Sequence, residues 1–146
     1  MAKVRAKGNL STEIAFMRLL RKSRLSGWRR HQRLPGTPDF VFFKERLAIF
    51  LDGDFWHGNP QKYKTPKTNS RFWDSKIQRN RIRDRVVNRQ LKSKGYRVIR
   101  IWESSLKKDP AKWMKKIFST LRPATKLPII LVASKSIRAN KRKNTD

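Results

Sequence analysis

Asp39-Phe40-Val41-Phe42-Phe43, Lys44-Glu45-Arg46 and Leu47-Ala48-Ile49-Phe50-Leu51 together decide the fold. Two apolar runs of strand length flank a three-residue polar turn, which predicts a β-hairpin. Neither run alternates with polar residues, so both strands are expected to be buried on both faces, as in a sheet covered by helices. Outward from the hairpin, Gly27 to Gly36 reads as a basic connector, and Ser11 or Thr12 as the cap of a helix reaching about Arg24 with an Ile14, Met17, Leu20 stripe. Glu13 falls in the first turn of that expected helix, where an acid suits the dipole without any further role. Gly53 to Asn69 has no period and is expected to be a long loop, a type of segment that often carries function.

Ser70 to about Ser93 reads as a long helix ended by Gly95, with Trp73, Ile77, Val87 and Leu91 as its apolar stripe. Asn80 and Asp84 fall on the same stripe and, if buried, require polar partners. Tyr96 to Trp102 reads as a third strand, ending at Glu103. Asp109 and Pro110 read as the cap and first residue of a helix through Trp113, Ile117 and Leu121. Pro128 to Val132 is a candidate last strand, and residues 134–146 a basic disordered tail. The long helix bridging the second and third strands predicts that these two run parallel. The expectation is a basic arm at 1–10, one α/β domain at 11–133 with a mixed sheet and helices on both faces, and the tail.

Of 146 residues, 38 are Lys or Arg and 10 are Asp or Glu, a net charge of +28, so a polyanionic partner, nucleic acid, is expected. No apolar run is long enough to span a bilayer and the start lacks a secretory-type apolar segment, which predicts a soluble intracellular, cytoplasmic protein. With no Cys, the chain has neither disulfides nor a thiolate zinc site.

In so basic a chain the acids carry information. An antiparallel hairpin brings Asp39, at the start of one strand, to the same sheet edge as Asp52, at the end of the next, and two carboxylates there suit Mg²⁺. His57, five residues on, can take a proton from an attacking water or stabilise a leaving oxygen. Phe55-Trp56 is either a core anchor or a wedge between base pairs, with Phe72-Trp73 as a second aromatic pair. Lys62, Lys64 and Lys67 between them are placed to hold phosphates.

Leu34-Pro35-Gly36-Thr37-Pro38-Asp39-Phe40-Val41, Phe50-Leu51-Asp52-Gly53-Asp54-Phe55-Trp56-His57-Gly58, Phe72-Trp73, Lys76-Ile77 with Asn80, Arg83-Asp84-Arg85, and Gly95-Tyr96-Arg97-Val98 through Trp102-Glu103 resemble the very short patch repair (Vsr) mismatch endonuclease family over about residues 5 to 105. The resemblance implies a restriction-endonuclease-like α/β/α core of the PD-(D/E)xK type that uses Mg²⁺ to nick one strand of double-stranded DNA beside a T·G mismatch; a monomer is expected. It implies that Asp39 is the metal carboxylate, that the Leu51 carbonyl is a second ligand, and that Asp52 and His57 are the active-site acid and base. It matches Glu13 to an acid on the family's first helix. It further implies an aromatic wedge of Phe55, Trp56 and Trp73, with Lys76 and Asn80 approaching the mispaired bases. Two departures stand out. The family's structural zinc positions fall on Asp54, Asn59, Gln61 and Ser104, so no zinc is expected, and the loop is either held otherwise or ordered only on DNA. Asp54 also replaces the superfamily lysine and is a candidate additional metal ligand. Three other readings fit the charge: a related nuclease on unmismatched DNA, a non-catalytic DNA-bending protein, and a ribosomal RNA-binding protein.

Overall fold

The computed structural model describes residues 2–122, with side chains from Leu10 onward. The chain divides after Met114 into two compact units, and the sheet and site below belong to the first. In chain order the elements are α1 (Ala2–Lys22), β1 (Trp28–Arg30), β2 (Phe40–Phe42), β3 (Leu47–Asp52), α2 (Ser70–Ser93), β4 (Arg97–Trp102), α3 (Glu103–Lys108) and α4 (Pro110–Leu121).

The four strands form one sheet in the order β1-β2-β3-β4. β2 and β3 are the expected antiparallel hairpin, with Phe40 opposite Ile49 and Phe42 opposite Leu47. β4 lies parallel to β3, with Ile49 opposite Ile99 and Leu51 opposite Ile101, as the intervening helix requires. Paired residues share a face of the sheet and their chain neighbours take the other. Phe40, Leu47, Ile49 and Ile101 therefore make one face, and Phe16 of α1 sets its ring edge-on to Phe40 at 4.9 Å. Ala48 and Phe50 point to the opposite face, where they pack with Val87 and Leu91 of α2. Helices cover both faces, which makes the three-layer α/β/α arrangement and explains why every residue of β2 and β3 is buried.

α2 has the expected bounds, and Gly95 closes it at φ +86° with its N–H on the Lys92 carbonyl at 3.0 Å. The Asp109 carboxylate accepts the Lys112 N–H at 3.1 Å, capping α4.

Three elements differ from expectation. α1 begins at Ala2 rather than at a cap near Ser11, because Ala2-Lys3-Val4-Arg5-Ala6-Lys7 is dominated by good helix formers. Its buried stripe is Thr12, Glu13, Phe16 and Leu20, not Ile14, Met17 and Leu20, since the same helical spacing one residue earlier brings Phe16 onto Phe40. Glu13 is thus buried in mid-helix, and a first-turn dipole role does not account for it. β1 lies inside the expected connector; its three residues are too few to show a period, and Trp28 is held by its ring against Phe40 at 5.5 Å. Glu103 opens α3 instead of ending a strand, and its carboxylate accepts the Thr12 hydroxyl at 2.7 Å.

Among the described residues no helix is long and apolar enough to cross a membrane. The candidate strand at 128–132 and the tail at 134–146 lie outside the described residues.

Candidate active site

Sheet register brings the acids together. β1 pairs antiparallel with β2, Arg30 opposite Phe40, so His31 just past β1 lies beside Asp39 just before β2. β3 ends at that same edge with Asp52, and α1 delivers Glu13 from the adjoining layer. One ligand atom each from Glu13, His31 and Asp39 lies within 4.8 Å of the other two. His31 Nε2 is 2.9 Å from Glu13 Oε2, which also accepts from Arg30 Nη2. The Leu51 N–H donates to Asp39 Oδ2 at 2.7 Å.

A second group forms around His57. Nδ1 of His57 is 2.6 Å from Asp84 Oδ2 on α2, and Nε2 is 3.7 Å from Asp52 Oδ1. Asp52, His57 and Asp84 likewise bring one ligand atom each within 4.8 Å of the others. Arg100 of β4 points to the same face as Asp52. Its Nη1 reaches both Asp52 oxygens at 3.0 Å, its Nε donates to Asn88 Oδ1 at 2.8 Å, and its guanidinium lies 4.1 Å from the centre of the Phe50 ring. This corrects the expected Asp39–Asp52 pairing. Both acids reach the same edge, but Arg100 draws Asp52 into the His57 group, and the carboxylate placed with Asp39 is Glu13. Leu51, expected to present its carbonyl, contacts Asp39 through its N–H.

Burial drives the Asp39 carboxyl from 3.8 up to about 7; the Leu51 N–H opposes this, while Glu13 and Asp52 add to it. Burial also raises Asp52, against the opposing charges of His57 and Arg100. An acid whose pKa is higher folded than unfolded loses its proton first in the unfolded chain, so the folded state is penalised as pH rises. Without a divalent cation, stability should therefore fall between pH 4 and 7 by up to about 4 kcal/mol and level off above. Urea midpoints across pH 4–8 check this. A flat profile, or one rising with pH, would contradict the Asp39 environment described here.

The 53–69 loop around His57 is fastened to α2. Asn80 Nδ2 donates to the Trp56 carbonyl at 2.9 Å, Arg81 Nη2 to the Gly58 carbonyl at 2.6 Å, and Asp84 takes His57 itself. Gly58 has φ +60°, and a Cβ there would come within 2.5 Å of Ile77, so the close approach of loop to helix needs glycine. Asn80 and Asp84, polar on an apolar stripe, find their partners in this clamp. Arg83 donates to Asn80 Oδ1 at 3.0 Å, so both ends of the Asn80 amide are engaged within the protein.

Phe55, Trp56, Tyr63, Phe72 and Trp73 form one aromatic cluster, with Phe55 5.2 Å from Trp56 and 5.4 Å from Trp73. Lys76 Nζ sits 5.3 Å from the Trp56 ring and 5.6 Å from that of Trp73. Phe72 is about half exposed, and Lys62, Lys64 and Lys67 are exposed on the loop beside it. Asp74 Oδ1 accepts the hydroxyls of Tyr63 and Thr65, which pins this lysine segment to the start of α2.

The family model described as DNA mismatch endonuclease Vsr matches residues 1–63, which contain Glu13, His31, Asp39, Asp52 and His57. Over these residues the chain is similar to the Vsr family. The type II nicking enzyme V.NaeI of Lentzea aerocolonigenes is 47% identical over 66 residues, 45% of this chain and 40% of the relative. The type II nicking enzyme V.HpaIIP of Haemophilus parainfluenzae is 44% identical over 85 residues, 56% of this chain and 60% of the relative. The DNA mismatch endonuclease Vsr of Escherichia coli (strain K12) is 43% identical over 75 residues, 51% of this chain and 48% of the relative. The chain thus spans between 40% and 60% of the length of these curated relatives.

Within the Vsr resemblance, the four positions where a zinc was not expected form a hydrogen-bonded knot. Asp54 Oδ1 accepts from Asn59 Nδ2 and from the Ser104 hydroxyl, both at 2.7 Å, while Asp54 Oδ2 accepts the Ser104 N–H at 3.2 Å. Asn59 Oδ1 in turn accepts the Gln61 N–H at 3.1 Å. The knot ties the loop to the first turn of α3. Asp54 is therefore occupied as a structural acceptor and belongs to neither group of candidate metal ligands, which corrects its reading as an additional ligand. Asp54→Ala should cost about 2–3 kcal/mol, because charge-assisted bonds are lost and a main-chain donor is left without its acceptor. Thermal unfolding measures this, and a loss below about 0.5 kcal/mol would show that the knot does not hold the loop.

His31 is the site residue that the sequence did not single out. The available signal was that the chain has two histidines in all, this one next to arginines ahead of the hairpin.

Proposed function

We propose that this protein is a divalent-cation-dependent endonuclease that nicks one strand of double-stranded DNA at a T·G mismatch or a similarly distorted site. The observation that carries the reading is the meeting, at one sheet edge, of the Asp39 group with a histidine oriented by Asp84, on a loop that carries aromatic rings and lysines. A protein that only bends DNA has no use for an aligned His–Asp pair, and carboxylates facing phosphates repel them unless a cation stands between.

Oxygen donors suit a hard cation such as Mg²⁺, and the fit is favoured by two neighbouring carboxylates, buried Glu13 and half-buried Asp39, where loss of water and then the Glu13 carboxylate raise Asp39. Asp39 would hold the ion, with the Leu51 carbonyl and Asp52 as further expected ligands. When bound, the ion supplies a Lewis acid at the scissile phosphate. The chain's own groups do the rest. Asp84 accepts a hydrogen bond from His57 Nδ1–H, which fixes the tautomer and leaves Nε2 to take a proton from water or to support the leaving oxygen. Arg100 restrains Asp52 beside it. Lys62, Lys64 and Lys67 hold backbone phosphates, and Phe55, Trp56 and Trp73 press between base pairs, most readily where pairing is faulty. Lys76 stands over the wedge rings, close to where the mispaired bases would lie. Asn80 acts first through the loop, whose Trp56 carbonyl it holds, and would meet the bases only on leaving that bond. All these groups come from one chain, so a monomer suffices, acting in the cytoplasm at the chromosome.

A second reading is favoured by the relatives named type II nicking enzymes: the same chemistry on a particular unmismatched sequence. Labelled duplexes differing only by one T·G pair separate the two. Nicking confined to the mismatched duplex supports mismatch recognition, and equal nicking of both supports the second reading.

A further inference from the structure

The geometry points to His31 as a nitrogen ligand of the cation at Asp39, making a Glu13–His31–Asp39 site whose imidazole favours Mn²⁺ and related transition metals over Mg²⁺. This rests on the reading that Asp39 binds the ion. It adds a residue and a metal preference which neither the charge pattern nor the matched Vsr motifs assign.

Three observations support it. The donor atoms of Glu13, His31 and Asp39 lie within 4.8 Å of one another, while donors on opposite sides of an octahedral ion stand about 4.2 Å apart, so small side-chain shifts close the set. The residues come from α1, the position just after β1 and the position just before β2, and the β1–β2 register fixes the last two beside each other. His31 is directed inward by its contact with Glu13 although its side chain is half exposed, which leaves room for water and a phosphate oxygen to complete the shell. Arg30 shares Glu13 Oε2, but a carboxylate offers about four lone-pair sites and can serve a guanidinium and an ion together. Asp52, the other charge facing Asp39, is held by Arg100 and groups with His57 and Asp84, whereas His31 groups with Asp39.

Donor chemistry sets the preference. Mg²⁺ dehydrates reluctantly and takes oxygen almost exclusively, whereas imidazole suits the first-row transition metals. Mn²⁺, which accepts both donor types, should bind more tightly than Mg²⁺, and His31→Ala should weaken Mn²⁺ at least about tenfold while affecting Mg²⁺ much less.

The test is pulsed EPR of Mn²⁺ bound to the full chain, alongside calorimetric titration. Only two histidines are present, His31 and His57, so a nitrogen coupling has two possible imidazole sources. The expected result is a directly coordinated ¹⁴N signal that is lost in His31→Ala and His31→Gln and kept in His57→Ala. A bound ion with no nitrogen coupling, or with a coupling that survives both His31 variants, overturns the proposal while leaving the Asp39 site standing. Mn²⁺ binding that is unchanged in Asp39→Asn overturns both. His31→Gln keeps a polar side chain at a half-exposed position, so a misfolded alanine variant would not remove the test.

Discussion

Asp39→Asn is expected to lower the single-turnover nicking rate about 10³-fold or more while DNA binding remains nearly intact. The amide keeps the size of the carboxylate and can still accept the Leu51 N–H, so hairpin geometry should survive; what disappears is the charge that holds a cation against the scissile phosphate. Affinity for DNA comes instead from the basic surface, part of a net charge of +28, and removing one acid cannot weaken that term. The same substitution should stabilise the cation-free protein at neutral pH, because it removes a buried carboxyl that resists ionisation until about pH 7. A variant that is more stable, still bound to DNA and inactive is the pattern of a site held at a cost to the fold. Quench-flow nicking assays, fluorescence anisotropy and urea unfolding of one preparation test all three. Nicking within tenfold of the parent protein would remove Asp39 from the cation site.

His57→Ala is expected to reduce nicking about 10²–10⁴-fold, the range for loss of a positioned acid or base. Asp84→Asn should reproduce part of this loss, since an amide in place of the carboxylate no longer selects the tautomer that leaves Nε2 unprotonated. His57 is half-buried in a loop that Asn80, Arg81 and the Asp54 knot hold independently, so melting should change little. Rescue separates chemistry from architecture: added imidazole should restore part of the activity of His57→Ala, and not that of Asp39→Asn. An unrescued variant with a lowered melting temperature would assign His57 a structural role.

Which parts of this arrangement were legible in the sequence follows from how local each one is. The β2–β3 hairpin declares itself through two apolar runs and a polar turn, and α2 through its stripe and closing glycine. Both depend on neighbours within a few residues. β1 and α3 are too short for a period, and tertiary partners define them: the Phe40 ring for Trp28, and Asp54 and Thr12 for the first turn of α3. The arrival of Asp39 and Asp52 at one sheet edge follows from antiparallel pairing, and His57 follows Asp52 closely in the chain. Their division into two groups does not, because it is decided by Arg100 reaching Asp52 from the parallel strand and by Glu13 and His31 reaching Asp39 from elements whose bounds or existence the sequence misplaces. The clamp on the loop was half legible. Asn80 and Asp84 stood out as polar residues on an apolar stripe, but their partners, a carbonyl and an imidazole some 24 to 27 residues away, required the fold.

Strand-resolved cleavage of a duplex bearing a single T·G pair, labelled on each strand in turn and incubated with Mg²⁺, with Mn²⁺ or with EDTA, decides whether the protein is a cation-dependent nicking enzyme. One cut is expected, in one strand, beside the mismatch, with either ion and none with EDTA. Cleavage that persists in EDTA, or cuts in both strands, would contradict a cation-dependent nicking enzyme built on Asp39 and His57.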